Sequence, residues 1–253
     1  MLYGLYQLNL PIVSRKYNPQ QGLAFRFLAD TRSDSEFLDP IHGRDAVVTG
    51  HDNGLITINL AEVDDVARAR LREQMQERYR TLLGHFRHEI GHYYWARLIR
   101  DDAQRLSKFR ELFGDEQRDY QGALALHYSN GPPADWQRYY ISPYAPMHPR
   151  EDWAECWAHY MHMIDTLETA HYFGVVPAGV SELPDEGDNA HFNPAHEAFP
   201  ALLERWVQLS VAMNAINRSM GLPDAYPFVL PSSAQYKLEF IHRLIAEQAS
   251  VSR

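Results

Sequence analysis

The chain has 253 residues, is 45% hydrophobic and 12% aromatic, and carries 24 basic against 33 acidic side chains, a formal charge of −9. That length and apolar content suffice for a sizeable core, in one domain or two closely packed lobes. The acidic balance argues against nucleic acid or an anionic membrane as the main partner and favours a neutral or cationic substrate.

A single cysteine, Cys156, excludes an intrachain disulfide and a Cys-based structural zinc site within these residues; a reducing, cytoplasmic setting fits best. Residues 1–13 are moderately apolar but include Gln7, Asn9 and Pro11 and lack a basic stretch. They are too short to span a bilayer and read as a docking helix or strand. No other segment approaches eighteen apolar residues.

Next comes a strand-like part. Residues 22–28 alternate like a half-buried strand, and 46–49 and 54–59 flank the turn-rich His51-Asp52-Asn53-Gly54, which predicts a small antiparallel sheet with a hairpin. From residue 62 the pattern is helical: about 62–77, 78–99, 103–113, 117–128, 149–172, 198–219 and 233–248. Two breaks interrupt it. Gly131-Pro132-Pro133 opens an irregular stretch rich in Tyr and Trp that ends at His148-Pro149, where Pro at the first helical position starts the next helix. This stretch either walls a pocket or packs onto the core. The second break, 174–197, reads as a surface loop or lid. The expected fold is α+β and mainly helical, one catalytic domain over 1–253, sheet-rich over 1–60 and helical over 61–253, with the sheet packed on the helix around residue 90.

That helix carries the chemistry. His88-Glu89-Ile90-Gly91-His92 is an HExxH motif inside an apolar-patterned segment free of Pro from 77 to 99, so both imidazoles stand one turn apart on one face and can reach one metal ion. A zinc ion so held activates a water, and Glu89, beside the first ligand, can take its proton and pass it to a leaving group. Packed or exposed histidines on an ordinary helix are the bland alternative.

The third ligand decides the class. A metzincin needs Gly at 95 and His at 98, and the chain has Trp95 and Leu98. A gluzincin takes a Glu from a later helix, with an acid one turn on supporting a ligand histidine. Glu151, Glu155, His159 and His162 form a polar stripe on a helix otherwise bearing Trp153, Trp157, Met161, Ile164 and Leu167. Glu151 is the preferred third ligand and Glu155 the partner of a ligand-histidine N–H. The reverse assignment, or intrusion by Asp152 or His159, stays open. His159 and His162 read best as hydrogen-bonded core histidines. Cys156 lies about 100° around the helix from Glu155 and is better read as facing the core than as a redox thiol at the metal.

The run 85–95, Tyr144-Ala145, His148-Pro149, the pattern from Glu151 to Glu155 and on to Ala170, together with Gly22-Leu23-Ala24-Phe25 and 54–59, resemble the bacterial family of zinc-binding metallopeptidases with HExxH, gluzincin-like sites. The likeness covers nearly everything up to about 172. Members usually begin with a Cys-rich zinc ribbon, and this sequence starts after that place. The Glu-x-x-Ala-Glu pattern is also similar to that of anthrax lethal factor and related gluzincins, where a Tyr about seven residues before the Glu ligand stabilises the oxyanion. Tyr144 stands at that offset here, with plain loop packing as its other reading.

The resemblance implies a peptidase with one zinc ion, ligands His88, His92 and Glu151, base Glu89 and a peptide or protein substrate. An extended peptide can lie along an edge strand, near 55–58 or 47–49. Competing readings are a metal-stabilised binding or regulatory module without turnover, and a zinc hydrolase of a non-peptide amide or ester. The oligomeric state is not legible in the sequence.

Overall fold

The computed structural model describes residues 1–29, 49–60, 81–175 and 194–251. The helix expected at 62–77, the candidate strand residues 46–48 and most of the loop 174–197 lie outside them.

The short helix α1 (Leu2–Gln7) opens the chain. It docks through Gly4, where an added Cβ would stand 2.6 Å from an Asp165 carboxylate oxygen, and Tyr3 Oη and Gln7 Nε2 donate to Glu168 at 3.1 and 2.8 Å. The three strands β1 (Ala24–Leu28), β2 (Gly50–Asp52) and β3 (Leu55–Asn59) pair in the order β1-β3-β2.

The sheet is mixed, which corrects the antiparallel expectation. β2 and β3 form an antiparallel hairpin, but β1 runs parallel to β3. Alternation within a strand says which face is buried and nothing of the partner's direction. The hairpin is also tighter than expected, with His51 and Asp52 in the strand and only Asn53 and Gly54 in the turn. Both have positive φ, 46° and 87°, the backbone that a two-residue type I′ turn needs. β3 buries Ile56 and Ile58 completely. Its backbone is paired on both sides over residues 55–57, which leaves no free edge there; among the described residues β2 is the edge strand nearest the HExxH motif.

Helix α2 (Leu82–Leu98) carries the motif. Thr81 caps it, its hydroxyl accepting from the Gly84 N–H at 2.9 Å. The sheet leans on it through Phe25 and Phe86, ring centroids 5.8 Å apart, and through His51 against His92 and Tyr93. Helices α3 (Ala103–Phe113) and α4 (Tyr120–Asn130) follow, capped by Asp102 and Asp119. The aromatic stretch turns twice in 3₁₀ form, at Trp136–Arg138 and Ala145–Met147, before α5 (Pro149–Tyr172), the central helix. Helices α6 (Phe199–Ser219) and α7 (Ser232–Val251) pack on α5.

The crossing of α2 and α5 organises the core. A Cβ on Gly91 would lie 3.0 Å from the Ala154 Cα and 3.1 Å from the Trp157 Cβ, so any larger residue would push the two helices apart by a few tenths of an ångström. Trp153 Nε1 donates to the Gly91 carbonyl at 2.8 Å, and Tyr94 stacks on Trp157 at 4.9 Å. Phe109 and Phe113 of α3 complete the cluster against Trp95 and Trp153.

Among the described residues no helix is long and apolar enough to cross a membrane. His159 and His162 are core histidines with hydrogen-bond partners, as expected. His159 Nδ1 meets the Tyr226 hydroxyl at 2.8 Å, and His162 Nδ1 meets the Arg87 guanidinium, which also pairs with Asp165.

Two outcomes follow. Gly91→Ala destabilises the fold by about 1–3 kcal/mol, read from urea midpoints, because the obstructing atom at Ala154 is backbone. The second concerns pH. Burial pushes His159 down to about 4, against the pull of Glu155. It is neutral when folded and takes up a proton near pH 6.5 when unfolded, so its contribution is intact above 6.5 and is lost as pH falls toward 4. In chelator-treated protein, His159→Gln flattens the fall in stability over that window, with a difference in slope amounting to about 3 kcal/mol by its acid end.

Candidate metal centre

The α2–α5 crossing sets two pairs of side chains face to face. One turn separates His88 from His92 on α2, and one turn separates Glu151 from Glu155 on α5. His88, Glu89 and Glu151 are buried. Glu151 lies in the first turn of α5, behind Pro149 and the cap residue His148, whose Nδ1 accepts from the Arg150 N–H at 3.1 Å. A carboxylate there also faces the positive end of the helix dipole.

Three donor atoms converge. His88 Nε2 and His92 Nε2 are 3.2 Å apart, Glu151 Oε2 is 3.0 Å from the first and Glu151 Oε1 3.4 Å from the second. Metal–ligand bonds of 2.0–2.1 Å in a tetrahedron give edges of about 3.3 Å, so the two imidazole nitrogens and the Glu151 carboxylate, which meets one nitrogen with each oxygen, lie at the spacing of ligands around one zinc ion. These are also the residues that form a possible metal-binding group among those described.

Proton accounting points the same way. His88 Nδ1 lies 2.6 Å from Glu155 Oε1. A neutral imidazole has one N–H, and that contact uses it, which leaves the Nε2 lone pair facing a carboxylate and a second imidazole. Such a contact needs a cation between the partners, a metal ion or a proton. Without a metal the proton serves: burial opposes it, but hydrogen bonds to Glu151 and Glu155 outweigh burial and hold His88 well above the usual histidine range. Against its own burial, Glu151 is held well below the carboxylate range by His92 and His88. Glu155 is likewise held at about 2, burial being overcome by His88. The residues therefore fit a divalent cation in charge, donor type and spacing.

Two tyrosines close the other side. Tyr120 Oη donates to Glu151 Oε1 at 3.1 Å, and the Tyr144 hydroxyl lies near that of Tyr120. The Tyr144 ring stands 6.1 Å from that of His88. Burial, then the Glu151 charge, keeps the Tyr144 phenol well above its usual range, so it stays protonated and able to donate. Tyr120 was missed by sequence reasoning. It opens α4 beside the Asp119 cap, and no spacing relation ties it to Glu151.

Asp152 faces away from this cluster, toward α7, where Lys237 Nζ lies 2.6 Å from its Oδ2. That removes it from the ligand candidates. Cys156 is fully buried and its thiol is pushed well up by burial and then by Asp152, the reverse of a reactive thiol.

Comparison with known proteins agrees with the site. Residues 1–244 match the putative zinc-binding metallo-peptidase family. The chain belongs to this family. It is 48% identical over 249 residues to uncharacterized proteins of Mycobacterium bovis and Mycobacterium tuberculosis, an alignment that takes in 98% of this chain and 67% of theirs. No solved structure matches.

Because Glu155 fixes which nitrogen of His88 faces Glu151, Glu155→Gln is expected to lower zinc affinity about 10–100-fold, measured by competition with a chelating dye.

Proposed function

We propose that the protein is a zinc-dependent peptidase of gluzincin type, with a zincin-like arrangement of the HExxH helix beside an edge strand. The convergence of His88, His92 and Glu151 at tetrahedral-edge spacing, with Glu155 on the far nitrogen of His88, carries this reading. These three residues hold one zinc ion, which, when bound, polarises the scissile carbonyl and acidifies a water.

The remaining chemistry belongs to the chain. Glu89 sits next to the first ligand in a buried position, close enough for its charge to act on the Tyr120 hydroxyl. It takes the proton from the attacking water and returns it to the leaving amine. Glu155 keeps His88 in the tautomer that presents Nε2. Tyr144 donates its proton in a hydrogen bond to the oxygen on which negative charge grows, and burial makes that bond stronger than it is in water. Tyr120 restrains Glu151 through Oε1.

The substrate in this reading is a peptide or protein held in extended form against the outer edge of β2, unpaired among the described residues, which His51 ties to the site. The setting is cytoplasmic, consistent with the lone buried cysteine.

Zinc-loaded protein incubated with a mixed peptide library and followed by mass spectrometry is expected to release new termini. Glu89→Gln should abolish that release while retaining stoichiometric zinc, and Tyr144→Phe should lower kcat by about 10²-fold or more with little change in KM. Full activity in Glu89→Gln would refute the mechanism. No cleavage across the library, alongside zinc-dependent thermal stability, would favour the non-catalytic module.

A further inference from the structure

We infer that the cleft between the β2–β3 hairpin and the outer half of α2 is an anion subsite for a carboxylate of the bound peptide, either its C-terminus or an acidic side chain. The choice of a peptide rests on the peptidase reading; the chemistry of the cleft does not depend on the metal cluster.

The cleft is partly open, encloses about 20 Å³ and is lined by Gln21, His51, Gly54, Tyr93, Arg97 and Arg100 among others. Pockets that take a whole small ligand start at roughly 300 Å³, so this one admits only a single group such as a carboxylate at its open mouth. Two guanidinium-bearing residues line the cleft, Arg97 in the last turn of α2 and Arg100 just past the helix end. Arg97 is half-buried, with its guanidinium 5.9 Å over the Tyr93 ring, and among the described residues no carboxylate is paired with it. Arg100 is bonded to the neighbouring Asp101 at 2.8 and 2.9 Å, an exposed pair of the kind that contributes little and is easily exchanged. The hairpin's own acid, Asp52, accepts from the Asn53 amide. A planar guanidinium with free donors suits a carboxylate, which it can grip through two parallel bonds.

The position fits a substrate that reaches the metal site. His51 lines the cleft, its ring lies parallel to that of His92 with centroids 6.2 Å apart, and its Nε2 accepts from the Gly54 N–H at 2.8 Å, which ties the ring to the turn. Arg97 follows His92 by five residues on α2, about 7.5 Å along the helix axis, and Arg100 follows just past the helix end. An extended peptide advances about 3.3 Å per residue, so the carboxylate sits two to four residues from the bond to be cut. The net charge of −9 favoured a neutral or cationic substrate. Contact charges govern at a few ångströms, whereas the charges of the rest of the surface are screened beyond about 8–10 Å.

The test is binding without turnover. Zinc-loaded Glu89→Gln protein is titrated calorimetrically with three acetylated peptides: tetra-alanine with a free carboxyl terminus, tetra-alanine amide, and the amide with Glu as its last residue. At least one carboxylate peptide is expected to bind about tenfold more tightly than the neutral amide, and whichever does identifies the source of the carboxylate. Adding Arg97→Gln or Arg100→Gln should erase the preference, and high salt should reduce it. Each double variant is checked for an unchanged melting profile, and the two sites serve as independent arms. Equal binding of all three peptides, no binding at millimolar concentration, or a preference that survives both substitutions overturns the proposal. Repeating the titration after chelation separates the two readings: a carboxylate preference that persists without metal keeps the subsite even where the zinc-loaded wild-type protein cleaves nothing in the peptide library, the result that sinks the peptidase.

Discussion

The close crossing of α2 and α5 is the constraint on which the rest depends. At Gly91 the two helices approach until one backbone nearly touches the other, and Trp153 closes the contact by donating to the Gly91 carbonyl. That approach lets side chains as short as Glu on α5 reach imidazoles on α2. Widening the crossing by the thickness of a methyl group draws the Glu151 carboxylate away from the two imidazoles, which its oxygens now approach to 3.0 and 3.4 Å. Leucine-rich packing would give a comparable core at a greater interaxial distance, which is why a glycine sits between the two histidines of the motif.

α5 is apolar around most of its surface, yet it buries several charges, and these find their partners on three other elements, α2, α7 and α1. Glu155 and Glu151 meet α2, Asp152 meets Lys237 of α7, Asp165 meets Arg87, and Glu168 meets Tyr3 and Gln7 of α1. A buried charge without its partner costs several kcal/mol, whereas a satisfied one adds little net stability. These contacts therefore select one arrangement of neighbours over near alternatives, while Trp153, Trp157, Tyr94 and Phe109 supply the apolar burial.

Much of this was legible in the residues. Helical spacing and Pro149 at a first turn located α2 to α5 within a few residues, and the four-residue offset from Glu151 to Glu155 anticipated which two side chains would meet the HExxH helix. Three things were not legible. The direction of β1 depends on where the connection after Leu28 returns, which no local pattern encodes. The tightness of the hairpin turned on two residues adopting positive φ, so His51 belonged to the strand and came to lie against His92. Tyr120 and Lys237 reach the centre from α4 and α7, 31 and 85 positions from their partners on α5, and contacts of that separation leave no trace in periodicity.

The place of Glu151 in α5 carries a thermodynamic consequence. It belongs to the first turn, the part of a helix that frays most readily, while Glu155 lies one turn deeper. The His148 ring anchors that turn from both nitrogens: Nδ1 accepts from Arg150, and Nε2 donates to the Arg118 carbonyl 3.2 Å away. Burial favours the neutral ring this requires. Opening of the α5 terminus and release of a metal ion are then one coupled equilibrium, and the segment preceding α4, through a single backbone carbonyl, sets its balance.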